Sequence, residues 1–141
     1  IHYTIAVARR RHLSRVAVMQ VLFERERRPE VHPEVVLLRN AKELGGVDAE
    51  FASGLLQGIL QHEEELHDLV QQHAPGWTWE RMDPIARVVL LLGSYELAHT
   101  KDVPPAVVIN EAIEVTKEYC TEESGKFVNG VLNAIAHRDA I

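Results

Sequence analysis

The chain has 141 residues, 46% of them hydrophobic, a net charge of −6 at neutral pH and one cysteine. A single domain of this length buries roughly two thirds of its unfolded surface and needs no metal or disulfide staple, while a lone cysteine excludes an internal disulfide. The overall acidity excludes a protein that grips nucleic acid over its whole surface, yet the charge is uneven. Residues 1–28 hold seven arginines against Glu24 and Glu26, a net +5, and the remainder carries −11. A basic head on an acidic body fits a local polyanion contact with another surface left for a protein partner; the plainer alternative is a solvated helix start. With no signal peptide or long apolar segment, the chain reads as a soluble cytoplasmic protein without membrane contact, and its start at Ile1 reads as a trimmed end.

Apolar residues recur at helical spacing almost throughout and strand-like alternation is scarce, which predicts an all-α protein. A first helix runs from about residue 11 to 27, with Val18 and Leu22 at i, i+4 and Pro29 beyond its end. A second, over 33–44, stops at Gly45 and Gly46, which provide the left-handed closing geometry that other residues resist. The third and longest runs from a cap at Asp48 to about His73 on a stripe of Phe51, Leu55, Ile59, Leu66, Leu69 and His73. Pro75, Gly76 and the segment 77–79 then break the pattern, dividing one domain, 1–141, into helical halves of about 9–74 and 77–138.

The next helix opens with Asp83 as cap and Pro84 in its first turn, and ends near His99. Its run Val88, Val89, Leu90, Leu91, Leu92 is apolar on every side, so this helix is predicted to be covered all round. Ile109, Ala112, Ile113, Thr116 and Tyr119 then share one stripe, with Glu111, Glu114, Lys117 and Glu118 off it. Thr121 and Ser124 offer caps for a last helix whose stripe is Phe127, Val131, Leu132 and Ile135.

Catalytic chemistry finds little support. His62, Glu63 and His67 imitate a zinc-protease HExxH motif but are one residue too long, and histidines at i, i+5 sit about 140° apart on a helix. No glycine-rich phosphate loop, nucleophile elbow or paired-cysteine spacing occurs, and nothing near Cys120 supplies a base. Glu111 and Glu114 are read as a loop brace and a surface pair rather than a carboxylate dyad. No catalytic residue, cofactor or metal is therefore expected.

The arginine head is the stronger candidate. Arg11 and Arg15 lie at i, i+4 and point the same way, Arg10 adjoins them, and Arg9 can reach a phosphate from the lead-in. Four positive charges within seven residues, without a carboxylate among them, suit a phosphodiester backbone. Aromatic residues are few, so most are assigned to the core, but Phe127 beside Lys126 at a helix start would make a corner for base stacking and phosphate binding. The alternative for Phe127 is the first buried knob of its helix. Asn129 reads as a buried polar latch rather than a base reader, and Gly130 as a site of close helix approach.

The segment VVINEAIEVTKEYCTEESGKFVNGVL, with the YEL of Tyr95 to Leu97 and the VP of Val103 and Pro104, resembles the bacterial NusB family of transcription antitermination factors. The order YEL, VP, INEAIE, K and FVNGVL carries the likeness over residues 87–133, and the arginine-rich start with Arg15, Val18, Gln20, Leu22 and Phe23 looks like the family's first helix. The likeness is loose between Pro29 and Gly76. It implies two small helical bundles packed at a steep angle, about seven helices in all, and a non-enzymatic adaptor. With the ribosomal protein NusE, such an adaptor binds a single-stranded boxA-type element of ribosomal RNA leaders and joins the RNA polymerase elongation complex. The resemblance strengthens the reading of Arg9, Arg10, Arg11, Arg15, Lys126 and Phe127 as RNA contacts and offers Phe23, Arg87 and Glu123 for the partner, although Phe23 fits ordinary core and rim equally well, and some family members form homodimers that would cover the basic surface.

This chain departs from the family pattern at Ala86 and Leu91, where an acidic residue and an arginine are usual, and around Cys120, where a glycine is usual. The first departure puts partner contacts of that helix in doubt, while Arg87 is retained. An alternative resemblance is to the RNA-binding module of a ribosomal RNA cytosine methyltransferase, although no cofactor-binding glycine-rich segment or catalytic cysteine motif occurs up to Ile141. A helical protein-interaction module without an RNA role is the third reading.

Overall fold

A computed structural model describes residues 4–138. Among them lie seven α-helices and no strand: α1 Ile5–Arg27, α2 Pro33–Leu44, α3 Ala49–Gln61, α4 Glu63–Gln72, α5 Pro84–His99, α6 Pro105–Tyr119 and α7 Glu122–Ala136, with a short 3₁₀ turn at Trp79–Arg81. The predicted all-α class and the bounds of α2 and α5 hold. The chain forms two compact units, Ile1–Gln57 and Gly58–Ile141.

In the first unit α1 packs on α2. The helix begins six residues before the predicted start because nothing from Ile5 to Arg10 breaks it and Thr4 caps it, its Oγ1 accepting from the Val7 amide at 3.1 Å. It ends where Arg28 leaves helical geometry ahead of Pro29. Six consecutive residues, 14 to 19, are buried along it. The hydroxyl of Ser14 donates to the Arg10 carbonyl at 2.7 Å and accepts from the Asp48 amide at 2.9 Å, which ties α1 to the turn that opens α3. Gly45 and Gly46 close α2 with φ of 71° and 68°, the conformation the sequence required of them.

The predicted third helix is broken at His62, which leaves helical geometry with φ −118° and ψ 21°. Its ring is the cause. His62 Nδ1 lies 2.8 Å from the Gly58 carbonyl, the oxygen that its own amide must also reach, and a side chain inserted into the ladder bends a helix at that point. The boundary between the two compact units falls close by, between Gln57 and Gly58, and α4 packs against α5 and α7.

In the second unit α5 packs against α4, α6 and α7. Asp83 caps it through Oδ1, which accepts from the amides of Ile85 and Ala86. Its run from Val88 to Leu92 is buried throughout, as continuous apolarity requires. Leu90, Leu132 and Ile135 are wholly buried, each burial stabilising by ~1.5–3 kcal/mol. Close approach of α5 and α7 is made at Gly93, where a Cβ would stand 2.8 Å from Leu132 Cδ1. Gly130, expected to play that part, is exposed with no neighbour near its missing Cβ. On α6 the stripe of Ile109, Ala112 and Thr116 is buried, while Tyr119, at its end, is 42% exposed.

Candidate nucleic-acid interface

The arginines of the head follow from the pitch of α1. At about 100° per residue, Arg9, Arg10 and Arg11 fan around the axis while Arg11 and Arg15 return to one face. Arg9 and Arg10 are exposed, held on a formed helix rather than on a loose lead-in. Arg11 is half-buried and Arg15 is 1% exposed. The guanidinium carbons of both stand over the Phe51 ring, at 4.6 Å and 5.2 Å from its centroid. Asp48 Oδ1 accepts from the Phe51 amide at 3.1 Å and so fixes the start of α3 beneath them.

Burial removes Arg15 from the surface on which a phosphate could land. It supports the cluster instead, sharing the face of one aromatic ring with Arg11. The outward-facing cations are Arg9, Arg10 and the edge of Arg11.

A second cluster lies in the other unit. The Thr121 hydroxyl accepts from the Ser124 amide at 3.0 Å and caps α7. Ser124 is therefore inside the first turn rather than a second cap, and its Oγ accepts from Cys120 Sγ at 3.2 Å. Phe127 consequently sits in the second turn, beyond the open amides of the helix start. It is half-buried and borders an open cleft of about 690 Å³, with Trp77, Arg81, Glu123, Ser124 and Lys126 around it and Met82 and Ala86 as a buried apolar floor. The rings of Trp77 and Phe127 are 5.2 Å apart and tilted by 53°. The Arg81 guanidinium is 5.8 Å from the Trp77 ring. Lys126 and Glu123 are 77% and 84% exposed in their side chains and 4.0 Å apart, a solvated pair of little energetic weight.

Two rings around an open, apolar-floored cleft can take an unpaired base on its face, and the adjoining phosphate can reach Arg81 or Lys126, although the carboxylates of Asp83 and Glu123 also line the cleft and balance those two charges. Trp77 and Arg81 were missed in the sequence, where 77–79 read only as a break. A tryptophan directly after Pro-Gly, off every helical stripe, was the available signal, since Trp77 is 43% exposed.

Asn129 is exposed, not buried, and its Oδ1 and carbonyl accept from Asn133 Nδ2 along the outer face of α7. Of the residues expected to meet a partner, Phe23 is half-buried with the Arg27 guanidinium 4.5 Å from its ring. Glu24 next to it joins Arg39 at 2.6 Å and Arg28 at 3.4 Å. Arg87 is half-buried and donates to the carbonyls of Trp79 and Met82 at 3.2 Å and 3.4 Å, which holds the entry to α5. Ala86 and Leu91, the departures from the family pattern, are 1% and 3% exposed.

The family model described as NusB family matches residues 12–137. The chain belongs to the NusB family. The NusB transcription antitermination protein of Nitratiruptor sp. is 39% identical over 127 residues, covering 89% of this chain and 91% of that protein. The NusB protein of Methylacidiphilum infernorum is 42% identical over 88 residues, and the match spans 62% of each. Among solved structures, one of the antitermination factors NusB and NusE in complex with double-stranded RNA contains a chain 31% identical, with a TM-score of 0.82 over 92% of this chain and 98% of that one.

Proposed function

We propose that this protein is a non-enzymatic RNA-binding antitermination factor. In this reading it pairs with a NusE-type ribosomal protein, binds single-stranded boxA-type RNA of ribosomal RNA leaders, and loads onto the elongation complex so that polymerase reads through terminators. The observation that carries the reading is the cleft at the start of α7, where the KFVNG segment supplies Lys126 and Phe127 beside Trp77 and Arg81. The arginine head adds outward-facing cations on α1. In its support stands the family match, together with a structural neighbour solved in complex with NusE and double-stranded RNA.

Two small cationic surfaces on an acidic body bind RNA weakly, and a partner that shares the same RNA raises affinity by making the second contact intramolecular. Phe23, Arg87 and Glu123 are the proposed partner contacts, the first near the end of α1, the second in the first turns of α5 and the third on the first turn of α7. Self-association of the free protein would compete for the same basic face. The test is a fluorescence-anisotropy titration of a short boxA-like RNA and a scrambled control, with the protein alone and with an equimolar NusE-type protein. Tighter, sequence-selective binding in the presence of the partner is expected. Equal weak binding to both RNAs under every condition overturns the adaptor reading.

A further inference from the structure

The break in the helical ladder at His62 gathers metal-binding groups from two helices. His62 is the residue before α4, Glu65 lies in the first turn of α4, and His99 is the last residue of α5. One ligand atom from each falls within 4.8 Å of the other two. His99 Nε2 is 2.7 Å from Glu65 Oε2, and the rings of His62 and His99 are 4.1 Å apart. Tyr95, one turn before His99, stacks on it at 5.3 Å and 22° and reaches His62 at 6.0 Å, which restrains both imidazoles.

The tautomer is also set. With Nδ1 of His62 2.8 Å from the Gly58 carbonyl, the proton must sit on Nδ1 to make that hydrogen bond, which leaves Nε2 with its lone pair free to bind. A ligating histidine that donates its other nitrogen to a backbone carbonyl is the usual outer-sphere arrangement at transition-metal sites. Two imidazoles and one carboxylate form a borderline donor set, of the kind zinc takes with three protein ligands and an open position. Zinc–nitrogen bonds of about 2.0 Å in a tetrahedron place ligand atoms roughly 3.3 Å apart, so ligation requires the three side chains to close in and the two neighbouring imidazoles to turn their lone pairs toward a common point. Glu65 and His99 are partly exposed, with side chains 51% and 28% accessible, so an ion has a route in and keeps water in its coordination shell.

We infer that His62, Glu65 and His99 form a binding site for a divalent transition-metal ion of the zinc class, which clips the first turn of α4 to the last turn of α5. The site is independent of the RNA reading. It differs from the HExxH resemblance, because His67 turns away to the Trp79 ring, 3.9 Å distant.

The test is calorimetric titration of untagged full-length protein with zinc chloride, alongside visible absorption of the cobalt(II) adduct and thermal unfolding with and without zinc. One ion per chain with a micromolar Kd, cobalt d–d bands of a low-symmetry site and a zinc-dependent rise in Tm are expected. His99→Asn and Glu65→Gln should each weaken binding at least tenfold and abolish the rise in Tm. His62→Gln should do the same, and the other two variants keep the test valid if that change disturbs the α3–α4 junction. Absence of binding at millimolar zinc, or binding that survives both His99→Asn and Glu65→Gln, overturns the assignment.

Discussion

The cations of the basic head divide by how far their side chains stand from solvent, Arg9 and Arg10 outside and Arg15 inside. Arg9→Ala with Arg10→Ala should leave helicity intact and lower the log-log salt slope of RNA binding by roughly 0.7 per lost single-strand phosphate contact. Salt-dependent anisotropy checks this, and an unchanged slope removes the head from the RNA site. Arg15→Ala should instead cost about 2 kcal/mol of stability, measured by urea unfolding, because a buried side chain packed over Phe51 is lost. Phe127→Ala should reduce RNA affinity by ~1–3 kcal/mol. Its stability cost should stay below the ~3–5 kcal/mol of a fully buried phenylalanine, since the ring is only half-buried at the edge of the cleft. The reverse balance would return Phe127 to the core.

At the scale of elements, the contact between α5 and α7 depends on the absence of a side chain at Gly93. Gly93→Ala should destabilise by ~1–3 kcal/mol, read by thermal or urea unfolding, because Leu132 is fully enclosed and cannot yield. Gly130→Ala should be neutral or stabilising by up to ~1 kcal/mol, as an exposed helical position with open space around it. From sequence the two glycines were easily exchanged: periodicity shows which face of a helix is apolar, but not which turn meets a neighbour. The same limit explains Arg15. The i, i+4 spacing placed it beside Arg11 correctly, and only the packing of α1 shows that it lies inside. Caps were legible because they are local, as Asp83, Thr121 and the Gly45, Gly46 pair demonstrate. The break at His62 was not, because it arises from a histidine ring reaching a carbonyl four residues back, while the stripe on either side stays in phase. The cleft needed Trp77, Arg81 and Phe127 together, residues that lie about fifty positions apart.

For the whole molecule, charge sets the regime of binding. A net −6 chain with a small number of outward cations should show shallow salt dependence, a log-log slope no steeper than roughly −3 for about four phosphate contacts. Titration of RNA across a range of salt concentrations checks that figure, and a much steeper slope would mean that cations outside the two clusters take part. Recognition must then rest largely on stacking and on the partner. Both tryptophans of the chain, Trp77 and Trp79, belong to the single segment that borders the cleft. Ultraviolet-excited emission from this protein is therefore a local optical signal. One emitter faces Phe127 in the open cleft, where a stacked nucleobase would quench it, and the other packs against His67. On the proposed reading, the unlabelled protein thus carries its own reporter of occupancy at the start of α7.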